Sequence, residues 1–158
     1  MLAKASFMQK GRGMKMLALL LAALSGVFMA LQGSLNTALG KIVGLLEGTF
    51  IVHLVGSFLS LALVFVGLGQ GNLAHYREAP WYTYLGGILS VGIIYLVVAA
   101  MSKVGVAPAT TAIIVGQVFT AALVDHFGWF GLEPLPFSFL KGLGILLMAA
   151  GAWLLLSR

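Results

Sequence analysis

Two side-chain amides, Gln32 and Asn36, stand one helical turn apart inside a run from Met16 to Gly40 that carries no charge. A third, Gln117, lies in the uncharged run from Val104 to Val124, on the same helical arc as Thr110, Ile114 and Ala121 and, just beyond the run, Asp125. His53 follows Thr49 by four residues and precedes Gly56, Ser57 and Ser60 by three, four and seven, which makes one helical stripe of small and polar groups. Amides and hydroxyls both donate and accept hydrogen bonds, and an imidazole takes up and releases protons near neutral pH. The chemistry these groups offer is recognition of a polar solute and carriage of a proton.

Each group also has an architectural reading. Gln32 and Asn36 either line a cavity or join helices, with Gly26, Ala30, Gly33 and Thr37 forming a small-residue face suited to close packing. His53 either meets substrate or bonds a neighbouring helix, and Gln117 is either a substrate contact or a bridge to another polar side chain. Glu47 and Asp125 fall at the edges of uncharged runs, where a solvated helix-end charge competes with a role in proton coupling. Gly40, Gly44 and Gly48 recur every four residues and permit close backbone approach.

No phosphate-binding loop, metal-ligand spacing or nucleophile constellation occurs, and the lack of cysteine removes thiolate sites and disulfides. The sequence therefore predicts neither an enzyme nor a cofactor or metal site. The net charge of +5 fits anionic lipid headgroups beside a membrane span better than nucleic acid.

The elements that must hold these groups are membrane helices. The chain has 158 residues, 61% hydrophobic and 8% charged, whereas a soluble domain carries about 25% charged residues. Its nine basic and four acidic residues leave uncharged runs at 16–40, 48–76, 79–102, 104–124 and 142–157. Most exceed the roughly 18 residues that a spanning helix needs. The last reaches full length by extending back past Lys141, which snorkels to the interface. A basic tail at 1–15 thus precedes a single membrane domain at 16–158, with spans at about 16–40, 48–69, 81–102, 107–125 and 138–156. Pro80-Trp81-Tyr82 with Tyr84 opens the third span with interfacial aromatics, Pro108 suits the first position of the fourth, and 125–139 reads as an interfacial loop.

Lys4, Lys10, Arg12 and Lys15 place the N-terminus in the cytoplasm by the positive-inside rule. Were translation to begin at Met14, Lys15, Arg77 and Lys141 would stand against Lys41, Lys103 and Arg158. That tie predicts insertion in both orientations.

The run Ala30-Leu31-Gln32-Gly33-Ser34-Leu35-Asn36, the Pro80-Trp81 opening with Gly86-Gly87, the Ala107-Pro108-Ala109-Thr110-Thr111 turn, Gly116-Gln117 and the Asp125-His126-Phe127-Gly128 block resemble the YdcZ-type inner-membrane exporters of the drug/metabolite transporter superfamily. The resemblance runs from about Gly26 to Leu155. It implies an all-α fold of five transmembrane helices, half of a ten-helix bundle, and hence a homodimer in parallel or inverted orientation. It also implies a bacterial plasma membrane and efflux of small molecules. Small multidrug members of the superfamily use a Glu in the first span, where this chain has only Gln32 and Asn36, so that residue's antiport chemistry does not carry over. The expected substrate-binding set is Gln32, Asn36, His53, Ser57, Thr110 and Gln117, in a cavity between spans one, two and four. His53, Glu47 and Asp125 are the proton-coupling candidates. The competing expectation is an accessory or channel subunit that uses its helix faces only for assembly.

Overall fold

The computed structural model describes the backbone of residues 2–157 and the side chains of residues 13–157. Among these every regular element is a helix and there are no strands. Helix α1 (Leu2–Val43) runs 42 residues without a break. No proline interrupts the basic segment before Met16, so the segment read as a tail continues the first span in one helix. Its apolar part, Gly13–Val43, is 31 residues long and exceeds the ~20 residues that cross a bilayer, so it accommodates by tilt or by reaching the headgroups.

Gly44 reverses the chain in one residue at φ 103°, a conformation that glycine adopts at little cost. Helix α2 (Leu45–Phe65) therefore begins and ends a few residues before the expected 48–69. Gly105 repeats the device at φ 91° between α3 (Leu85–Val104) and α4 (Val106–Phe127). Pro108 then lies at the third position of α4, where its missing N–H is still harmless because first-turn donors have no intrahelical partner. Before α3, Asn72 Oδ1 accepts from the Ala74 N–H at 2.9 Å, and two short 3-10 turns, Leu73–Glu78 and Trp81–Tyr84, lead in.

Helix α4 extends through Asp125 and His126 to Phe127, so the loop expected from 125 starts at Gly128, a left-handed cap. The Leu135 N–H donates back to the Asp125 carbonyl at 2.7 Å, and the Phe137 N–H donates to His126 Nδ1 at 3.2 Å. Phe127 stacks on Trp129 with centroids 5.5 Å apart, and Phe130 lies 6.2 Å from Tyr82. These aromatics join the two long loops into one interfacial layer. Ser138 then caps α5 (Phe139–Leu156) by accepting from the Lys141 N–H at 3.3 Å. The five helices are each long and apolar enough to cross a membrane.

Packing is concentrated at one end. Asn36, Thr37, Thr49, Val98, Met101, Ala109 and Ala152 are the buried side chains among the described residues. Every one lies in the half of its helix nearest the Gly44 and Gly105 turns or the end of α5. A methyl group built on Gly48 would stand 3.4 Å from Gly40 Cα, so α1 and α2 touch backbone to backbone there. At mid-helix and toward the two long loops, a methyl on Gly26, Gly56, Gly86 or Gly116 would meet nothing within 4 Å. The buried side chains thus hold the bundle together in its turn half, and the packing is looser in the rest.

Candidate functional site

Between α1, α3 and α4 lies a cavity of about 120 Å³. Gln32 and Asn36 enter it from α1, Thr110 and Gln117 from α4. Helix α3 supplies Ile93, Ile94, Val97 and Met101, and α4 adds Ile113 and Ile114, so the wall is apolar with a few polar groups set into it. Among the described residues, no ionisable side chain lines it. Helix periodicity places these groups together, because Gln32 and Asn36 are one turn apart and Thr110 and Gln117 two turns apart.

Depth sorts the lining. Gln32, Met29, Ile114 and Gln117 are exposed and form the mouth, whereas Gly33, Asn36 and Met101 are buried at the bottom. Ser34, Thr37 and Thr49 return their hydroxyls to carbonyls four residues back, at 2.8, 2.7 and 2.8 Å. Thr111 does the same to Ala107 at 2.8 Å. Thr110 does not: its Oγ1 is buried without a hydrogen-bond partner among the described residues. A buried hydroxyl left unpaired costs about 1–3 kcal/mol.

Four of the six residues expected to bind substrate, Gln32, Asn36, Thr110 and Gln117, are thus brought together. His53 and Ser57 lie elsewhere. His53 bridges α2 to α3, with Nδ1 2.9 Å from the Thr49 carbonyl and Nε2 2.8 Å from Ser90 Oγ. A carbonyl only accepts, so Nδ1 carries a proton and donates to Thr49, while the Ser90 hydroxyl pairs with Nε2 as donor or as acceptor. Ser57 is exposed on α2 beyond that bridge. The wall assigned to the second span belongs to α3, because α2 spends its polar stripe on Thr49 and on the His53 to Ser90 bridge. Sequence reasoning missed Ser90 as the partner, and missed Ile93, Val97 and Met101 as lining. Their spacing of four was visible, yet apolar side chains look the same facing a cavity or lipid.

Glu47 is exposed in the first turn of α2 and folds back over Gly44, where any side chain would collide with its carboxylate. It favours the positive end of the helix dipole there. Together with His53 and Val91 it borders an apolar groove between α2 and α3, outside the cavity. Asp125 is half-buried two residues before the end of α4. The His53→Ala variant is expected to lose the α2–α3 bridge and about 0.6 kcal/mol of stability, the average for hydrogen bonds between membrane helices. A melting curve in mild detergent measures it.

No curated protein and no solved structure matches the chain significantly. A family does, over residues 17–154, which takes in all five apolar helices and every residue of the cavity. All five membrane-length helices and the cavity between them fall within the reach of that match, and the chain belongs to the family described as "Putative inner membrane exporter, YdcZ".

Proposed function

We propose that this chain is one half of a small-molecule exporter, that two copies form the working unit by alternating access, and that substrate is held in the α1–α3–α4 cavity through hydrogen bonds without a fixed counter-charge. The observation that carries this reading is the buried, unpartnered Thr110 hydroxyl beside the amides of Asn36 and Gln117 in an otherwise apolar pocket. Such a pocket suits an uncharged solute that both donates and accepts hydrogen bonds and has an apolar portion. Dimerisation is supported by the chain's five spans, half of the ten-helix plan that the family resemblance implies, and the looser packing away from the turns leaves room for a second copy. Proton coupling is assigned to His53, Glu47 or Asp125. None lines the cavity, so each would act on helix position rather than on the solute.

The deciding experiment is Thr110→Val in vesicles that contain only this chain, with a solute chosen from uncharged polar compounds by thermal shift. Removing an unpaired hydroxyl should leave the melting temperature unchanged or raise it. Flux and affinity should fall about 2- to 10-fold, the equivalent of one hydrogen bond worth about 0.5–1.5 kcal/mol. A lower melting temperature with unaltered affinity would remove the cavity from the mechanism. Absence of flux by the chain alone, for every solute that it binds, would favour the accessory reading, and cross-linking that finds only monomers in an active preparation would sink the dimer.

A further inference from the structure

Gly33 and Met101 meet at the bottom of the cavity. A methyl group built on Gly33 would stand 2.7 Å from Met101 Cε and 2.8 Å from its Sδ, so the thioether fills the notch left by the missing side chain. Val97 Cγ1 lies 3.2 Å from the same point. Met101 is only 5% exposed, yet it lines the cavity. At the same level, four residues from their turns, lie the buried Ala109 and the close contact of Gly40 with Gly48, and beyond this layer residues 41–43 and 102–107 are exposed. The side chain therefore belongs to a packed layer that separates an accessible pocket from the exposed turns.

Residue types suit a movable part. Methionine is unbranched with three rotatable bonds and a polarizable sulfur, whereas a valine or isoleucine would be stiff at χ1. The notch at Gly33 receives the tip of the side chain and the empty cavity next to it offers a second place to lie. We propose that Met101 is the gate at the closed end of the cavity, sealing it when seated against Gly33 and opening it toward the turn side when the thioether swings away. The gate's part in transport rests on the exporter reading; the seal itself does not need a known solute.

Because the chain has no cysteine, a single introduced thiol reports alone. Gln117→Cys places one at the mouth, and Asn72→Cys, in the α2–α3 loop, counts the chains whose loop end faces the reagent. Both are treated with a membrane-impermeant maleimide in right-side-out and inverted vesicles, which also accounts for chains inserted either way. With Met101 in place, the initial labelling of Gln117→Cys should match that of Asn72→Cys. Adding Met101→Ala should speed labelling from the turn side severalfold. Met101→Val, which lacks the atoms that reach Gly33 but keeps bulk at the backbone, should do the same should the alanine variant not accumulate, and Met101→Leu should keep the seal. Equally fast labelling from both sides with Met101 present, or no change in either opened variant, overturns the gate. Flux in vesicles of the cysteine-free chain, in which Gln117 is intact, separates the two ideas: an intact seal by labelling, without transport by that chain, removes the exporter reading and leaves the seal standing.

Discussion

Gly48→Leu is expected to destabilise the bundle more than any substitution considered above. A Cβ at 48 is tolerable in itself, 3.4 Å from Gly40 Cα and 3.5 Å from Gly40 N. The remaining atoms of leucine run into the backbone of α1 at Gly40 and the Leu39 side chain beside it, whose Cγ is 3.7 Å from the new Cβ, and backbone cannot rotate aside. Overpacking a well-packed contact costs about 1–3 kcal/mol, and a contact of backbone on backbone belongs at the upper end. Gly144→Leu in α5 is the control, since a methyl there meets nothing within 4 Å. Replacing glycine inside a helix gains up to about 1 kcal/mol of propensity, so the control should melt at the same temperature or higher. Similar losses in both variants would show that the α1–α2 contact does not limit stability.

Deleting residues 1–13 is expected to change orientation outright. Counted along the sequence, Lys4, Lys10, Arg12, Lys15, Arg77 and Lys141 fall on the N-terminal side of the membrane and Lys41, Lys103 and Arg158 on the other. The shortened chain keeps three on each, and basic residues near span ends set topology. C-terminal reporter fusions should give one location for the full chain and two for the truncated one. A single location for both would place the signal elsewhere, for example in the α4–α5 loop with its aromatic layer.

The spans were legible because hydrocarbon excludes charge, so uncharged runs mark them whatever the packing inside. Their ends were less so. Gly44 and Gly105 allow reversal in one residue, and α2 and α4 begin sooner than a run bounded by Glu47 or opened by Pro108 suggests. The pairing of Gln32 and Asn36 with Thr110 and Gln117 followed from polar groups that lipid would not accommodate. The position of α3 did not follow, because Ile93, Val97 and Met101 carry no polarity to distinguish solute from lipid as a neighbour. His53 illustrates the remaining gap: its need for a partner was evident, but Ser90, 37 residues away, is a tertiary fact.

The uneven packing of the bundle places a demand on its solvent. In the turn half protein fills its own interior, while from mid-helix toward the loops the space beside Gly56, Gly86 and Gly116 must be filled by acyl chains or by another protein surface. Two copies standing the same way would load that demand onto one leaflet and make assembly sensitive to the chain length and unsaturation of its lipids. Two copies standing opposite ways would divide it between the leaflets, and their assembly would respond to both monolayers alike.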